Sequence, residues 1–305
     1  MTQPSRRAAL QMLAAMGAGV LGWARQQSIG LCIGTYGMKA LSNRTALELI
    51  AQIGYDGVEI SLLPGWPADP VQLHNPAREE LRHLIAANHL ALPSLLESLP
   101  LLPGRHTENM ERLRRATHLA HDLAPRNPPI IDTVLGLKAN QWEALKSRMA
   151  DEIGDWSRVA LENKITIGIK PHAGQAMNSP DRALWLLQQV NSPHIRLIYD
   201  YSHMYIEGFT LESSLKRMLP YTTFIALKDG RKTATGYDFL LPGEGNTDYP
   251  TYFRLLKELG YQGYLGVEVS ALLFRRPGYD PVAAAKKSYT NLAPLMAAAG
   301  VRFKR

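Results

Sequence analysis

Cysteine is nearly absent from this chain: Cys32 is the single one in 305 residues. One thiol cannot close an intramolecular disulfide or build a cysteine-based zinc site, and Cys32 reads instead as a small buried residue on the first strand. Runs of like charge are also missing. The formal charge is +7 and the isoelectric point near 9.4, yet the basic residues are scattered and the densest group is Arg302, Lys304 and Arg305. No nucleic-acid partner is expected from such a pattern. No linker-like or low-complexity stretch divides the chain. With 46% hydrophobic and 20% charged residues, a chain of this length can bury one large core, and α/β barrels commonly reach this size as one domain.

What is present is a regular alternation of strand-like and helix-like segments. Its clearest unit runs from Ile165 to His203. In Ile165-Thr166-Ile167-Gly168-Ile169-Lys170-Pro171-His172 a period of two puts isoleucine on one face and Thr166, Gly168, Lys170 and His172 on the other. A helical crossover then leads to Ile195–Tyr199, followed by Asp200 and His203. Strands are also expected over 29–34, 57–63, 92–98, 130–137, 222–228 and 264–270, with helices between them and a loop over 231–248. Eight strand–helix units joined by right-handed crossovers predict a single (β/α)8 TIM barrel.

Strand parity puts Glu59 and Ser61 on one face of strand two, and lists as facing the interior Lys170 and His172 on five, Asp200 on six, Ala226 and Lys228 on seven, Glu268 and Ser270 on eight. Ionisable groups gathered at one end of adjacent strands are expected to be paired, ligated or catalytic, because an isolated buried charge is strongly unfavourable. Taken singly, Lys170 or Lys228 could be a strand-end lysine reaching solvent, and His203 a cap at a helix entrance.

Residues 1–24 read MTQPSRRAALQMLAAMGAGVLGWA, with Ser5-Arg6-Arg7 and Leu10 ahead of a charge-free apolar run. The segment resembles a twin-arginine export signal with cleavage after Ala24, leaving 25–305 as the barrel. Its apolar run is shorter than the about 20 residues that span a bilayer. A periplasmic or extracytoplasmic location without stable membrane insertion is expected; an uncleaved anchor or a mis-assigned start is the open alternative.

Several pieces together resemble the sugar phosphate isomerase/epimerase family with the xylose isomerase-like TIM barrel. They are Gly54-Tyr55-Asp56-Gly57-Val58-Glu59, Asp200-Tyr201-Ser202-His203, Leu227-Lys228-Asp229-Gly230, Pro242-Gly243-Glu244-Gly245 and Gly260-Tyr261-Gln262-Gly263-Tyr264 leading to Glu268. The resemblance implies one divalent metal held by glutamate, aspartate, histidine and glutamate on strands five to eight, and a substrate-contacting histidine at His203. Asp200 and Glu268 match that set; Lys170 and Ala226 do not. An ammonium repels a metal, and two carboxylates without imidazole make a poor site for Mn, Zn or Fe. No cofactor is therefore expected, with a divalent ion on Asp200 and Glu268 as the alternative.

Without a cation the two carboxylates would repel, and Lys170 supplies the balancing charge. The expected substrate is a small carbohydrate. Lys170, Glu268, His203 and His172 are the candidate catalytic groups; Asp200, Lys228, Glu59 and Ser270 are the candidate substrate contacts. The ammonium would hydrogen-bond a carbonyl or enediolate oxygen, Glu268 would carry the proton of the adjacent carbon, and a histidine would be the second acid or base. That chemistry serves an isomerase or epimerase. A Schiff base at Lys170 is disfavoured by the neighbouring carboxylates. A keto-glycoside lyase or hydrolase and a non-catalytic carbohydrate-binding barrel are the competing readings. An abasic-site nuclease would need a multi-metal cluster that these residues do not supply.

Overall fold

The computed structural model describes residues 29–302. The expected signal segment, 1–24, lies outside the described residues. Eight parallel strands close a barrel: β1 Ile29–Gly34, β2 Gly57–Ser61, β3 Ala91–Leu96, β4 Ile130–Thr133, β5 Ile167–Ile169, β6 Ile195–Asp200, β7 Thr222–Leu227 and, after an inserted hairpin, β10 Gly263–Val267, which pairs with β1. Around them lie α1 Asn43–Ile53, α2 Asn75–Ala87, α3 His106–Leu123, α4 Trp142–Glu162, α5 Pro180–Val190, the short α6 Tyr201–Ile206, α7 Leu211–Met218, α8 Tyr249–Glu258, the one-turn α9 Ala271–Phe274 and α10 Pro281–Ala298. Among the described residues no helix is long and apolar enough to cross a membrane.

Local chemistry sets the boundaries. Ser42 accepts the Thr45 N–H to start α1, and Gly54, in the left-handed region at φ 104°, ends it. Ser179 caps α5 with Pro180 at its first turn.

Strand parity holds as expected. Ile29, Leu31, Ile33, Ile195, Leu197, Tyr199, Ile225, Leu227, Leu265 and Val267 join the helix-facing core. Inside the barrel, Cys32, Ile198, Phe224 and Ala226 pack with Ile130 and Tyr264. Three glycines make room for these side chains. A Cβ at Gly30 would stand 2.3 Å from the Tyr264 ring, one at Gly168 2.3 Å from Ile198 Cδ1, and one at Gly266 2.4 Å from Phe224 Cζ. This apolar plug supports the charged layer above it.

Two expectations are corrected. The strands are shorter than their apolar runs, so Lys170, His172, Lys228, Glu268 and Ser270 lie just beyond strand ends. Residues 231–248 are not all loop: β8 Asp229–Thr233 and β9 Gly236–Leu240 form an antiparallel hairpin. Its first strand is mostly exposed and polar, so it carries no apolar alternation to read.

Candidate active site

The charged layer sits at the C-terminal end of the barrel, where this architecture places catalytic groups. Lys170 follows β5 directly, anchored by its N–H to the Thr133 carbonyl at 2.9 Å. Its ammonium donates to Glu268 Oε2 and lies 3.5 Å from Asp132 Oδ2. Lys228 follows β7, donates to Asp200 Oδ2 and lies 3.0 Å from Glu268 Oε1. Glu268 is thus gripped by two ammoniums. Asp200 divides its oxygens: Oδ1 accepts the Ser202 N–H at 3.0 Å and its hydroxyl at 2.6 Å, capping α6, while Oδ2 faces Lys228.

The two imidazoles stack with centroids 3.8 Å apart. A backbone N–H can only donate and a carbonyl only accept, which assigns both tautomers. His203 Nδ1 accepts the Ala173 N–H at 3.2 Å, so its proton is on Nε2, 3.7 Å from Asp200 Oδ2 and without a hydrogen-bond partner among the described residues. His172 Nδ1 donates to the Ala173 carbonyl at 3.0 Å. Both rings are held neutral, first by burial and then by neighbouring positive charge or the other ring; His172 is lowered to about 4.

The carboxyls divide into two kinds. Burial and the nearby Asp132 push Glu59 up to about 8, against the Ser94 hydroxyl that donates to it at 2.8 Å. Burial pushes Asp132 up to about 6, opposed by Lys170. For Glu268 the cost of burial is outweighed by Lys170 and Lys228, which hold it well below the usual carboxylate range. Burial alone would lower Lys170, but Asp132, Glu268, Asp200 and Glu59 raise it well above its ordinary value. The Glu268 side chain is 12% exposed, against 3% or less for Lys170, Lys228, Asp132 and Asp200. Glu268 is therefore the group of this cluster that an incoming molecule meets first.

Of the residues named from sequence, the structure brings Lys170, Glu268, Asp200, Lys228, Glu59, His203 and His172 into this one compartment. Ser270 sits three residues past β10, and its hydroxyl accepts the Leu272 N–H as the cap of α9. The hydroxyl keeps its own proton to donate, so the cap leaves the expected substrate contact open. Asp132 was not anticipated, although it is the one acid of its strand and the parity rule used on β5 places it inward. Phe239 was also missed; it lies on the hairpin, 4.9 Å from the His203 ring and 5.0 Å from Lys228 Nζ. At the mouth, Tyr36 stacks on Trp66 at 5.6 Å and meets Phe274 edge-on at 4.9 Å, joining the loops after β1, β2 and β10.

A divalent ion does not suit these donors. At the four ligand positions implied by the resemblance stand Lys170, Asp200, Ala226 and Glu268. Lys170 is cationic, Ala226 has no donor atom, and both carboxylates already face ammoniums. Among the described residues no group of three or more His, Cys, Asp or Glu is arranged to hold a metal.

With the barrel and site in view, comparison with known proteins places the chain. The sequence profile of the xylose isomerase-like TIM barrel family matches residues 47–294. The chain belongs to that family. L-ribulose 3-epimerase of Methylomonas sp. (strain DH-1) is 26% identical over 239 residues, 75% of this chain and 79% of that protein. Inosose dehydratase of Mesomycoplasma hyopneumoniae is 29% identical over 134 residues, 39% of this chain and 44% of that one. Among solved structures, the IOLI protein with a binding zinc atom superposes with a TM-score of 0.73 at 19% identity, covering 88% of this chain and 99% of that one. The 3-keto-D-glucoside 4-epimerase of E. coli superposes with a TM-score of 0.68 at 15% identity over 88% of this chain and all of that one. These xylose isomerase-like barrels share the fold with this chain.

Proposed function

We propose that this xylose isomerase-like barrel is an isomerase or epimerase of small carbohydrates that moves a proton next to a sugar carbonyl with ammonium groups in place of a divalent metal. The observation that carries the reading is the Lys170 ammonium set between Glu268 and Asp132 at the end of β5, where the resemblance implies a glutamate. The relatives named as an epimerase, a keto-glucoside epimerase and a dehydratase support the reaction class, since each reaction can start from a proton lost beside a carbonyl.

The substrate carbonyl oxygen takes a hydrogen bond from Lys170, with Lys228 adding positive charge beside Asp200. As Lys170 turns from Glu268 to the substrate oxygen the carboxylate regains basicity; the C–H bond of the adjacent carbon breaks, its proton goes to Glu268, and the electron pair passes to the carbonyl oxygen as an enediolate stabilised by the ammoniums. Return of a proton to the opposite face gives the epimer; return at the neighbouring carbon gives the isomer. Loss of a β-substituent instead gives a keto-glycoside lyase, the second reading. His172, the less enclosed imidazole, is the second acid or base. His203 accepts the Ala173 N–H and so holds the backbone after His172 in place. Tyr36, Trp66 and Phe274 offer the apolar face of the sugar a wall to lie against.

The test is deuterium incorporation from D2O into ketohexoses and 3-keto-glucosides, followed by NMR, with protein dialysed against EDTA. Exchange by the chelated protein and its steep but measurable fall in Lys170→Met support the reading. Exchange that appears only on adding a divalent ion returns the mechanism to a metal. Sugar binding without exchange makes the protein a binding barrel. Export is proposed on the Ser5-Arg6-Arg7 segment, and replacing Arg6 and Arg7 by lysine should retain the protein in the cytoplasm, as cell fractionation would show.

A further inference from the structure

The proposed chemistry moves a negative charge from Glu268, the resting partner of Lys170, to the substrate oxygen. When Glu268 takes a proton from substrate it becomes neutral, and Lys170 loses its anionic hydrogen-bond partner while its side chain is only 3% exposed. The enediolate oxygen takes up that charge as it forms, and a buried carboxylate within reach keeps the enclosed ammonium paired throughout the transfer. Asp132 is fully buried on β4, and neither of its carboxylate oxygens has a hydrogen-bond partner among the described residues. Buried carboxylate oxygens are ordinarily satisfied, and an orphaned pair calls for a physical reason.

The other groups facing Lys170 are less suited to receive it. Asp200 is occupied by Lys228 and the Ser202 hydroxyl, and Glu59 accepts from Ser94 and is protonated well into the neutral range. Of these acids Asp132 alone is both close and vacant of donors. Its Oδ2 is 3.5 Å from Lys170 Nζ. A charge-assisted hydrogen bond spans about 2.7–2.9 Å, so the ammonium has less than about 1 Å to travel.

We infer that Asp132 is a positioning residue, the reserve counter-ion to which the Lys170 ammonium shifts when Glu268 is neutralised by the substrate's proton. This deepens the proposed function and rests on it for its catalytic meaning, but the shift itself is a property of the substrate-free barrel. In the resting state Lys170 lies on Glu268; in the proton-loaded state it lies on Asp132 and the nascent enediolate oxygen. Nothing is oxidised or reduced, and the total charge of cluster and substrate together is the same before and after.

The deciding experiment is the crystal structure of substrate-free Glu268→Gln, whose amide imitates the proton-loaded carboxyl. The expected result is Lys170 Nζ within hydrogen-bond distance of Asp132. An ammonium that stays on the new amide, or that turns to Asp200 or Glu59, overturns the inference whether or not the protein turns over any sugar. In the active enzyme, Asp132→Asn should lower kcat on the order of a hundredfold, as a misplaced catalytic group does, with KM little changed. Asp132→Glu should recover part of that loss, and Asp132→Asn should have no further effect in a Lys170→Met background. Losses that simply multiply in the double variant, or that fall on KM alone, mean that Asp132 acts on something other than Lys170. Absence of any wild-type turnover would instead remove the proposed function and leave the Glu268→Gln structure to decide the shift.

Discussion

Lys170 and Ala226 are the two residues through which this barrel departs from the metal-binding pattern its sequence resembles, and both act through charge. One places an ammonium against the carboxylates that would otherwise repel; the other removes an imidazole. Lys170→Glu combined with Ala226→His should therefore rebuild four ligands, and elemental analysis of the purified variant should find about one equivalent of divalent metal where the parent, treated alike, has none. Glu59 carries a second prediction. Its carboxyl is raised to about 8 in the folded protein, whereas in the unfolded chain it ionises near the ordinary value of 4.5. Between those values the folded state binds the extra proton, so stability falls as pH rises through the window. Denaturant titrations of Glu59→Gln should show a shallower loss from pH 5 to pH 8 than the parent, and a parallel decline would remove Glu59 as the cause.

At the scale of elements, the hairpin β8–β9 and the loop after it cap the charged floor. Asp229 accepts the N–H groups of Gly243 at 2.9 Å and Gly245 at 2.8 Å and the Tyr249 hydroxyl at 3.2 Å, tying the Pro242–Gly245 turn to the start of the hairpin. A Cβ at Gly245 would stand 2.8 Å from that of Asp229, which is why a glycine is needed there. Phe239, 3% exposed, then covers Lys228 and His203. Phe239→Ala should cost about 3 kcal/mol in a chemical denaturation series, the ordinary penalty for emptying a buried aromatic site. It should also admit water to the Lys228–Asp200 pair. Amide exchange would show this as faster exchange in residues 229–240 with the β1–β7 amides unchanged. The hairpin is the element that sequence patterning did not supply, because Arg231, Lys232 and Thr233 are exposed and polar and leave no period to find.

For the whole molecule, closure of the barrel is what brings residues 98 positions apart, Lys170 and Glu268, into hydrogen-bond contact. The ring is completed by β1 pairing with β10 and is strapped from below. The Ile29 N–H donates to the Val301 carbonyl at 2.6 Å, and the Arg302 guanidinium lies over Tyr289 and donates to the Gly54 carbonyl at 2.7 Å. Loss of that charged hydrogen bond in Arg302→Ala should cost about 1–2 kcal/mol and lower Tm by a few degrees in calorimetry. Turnover per folded molecule should not change, since the strap is at the opposite end of the barrel from Glu268.

The barrel, the inward parity of Lys170, Asp200, Lys228 and Glu268, and the lysine and alanine at two positions where the family resemblance implies metal ligands were all legible in the sequence. The first two follow from a period of two, a local property; the last follows from the resemblance together with which side chains carry lone pairs. Only the tertiary structure decided who pairs with whom. That Glu268 is shared by two lysines, that Asp132 waits beside Lys170, that Ser270 caps a helix and that Phe239 roofs the histidines all depend on distances set by the folded backbone. Such distances exist only once the ring has closed, because strand closure and the packing of Tyr264, Ile198 and Phe224 against their glycines set the depth at which each charge is held.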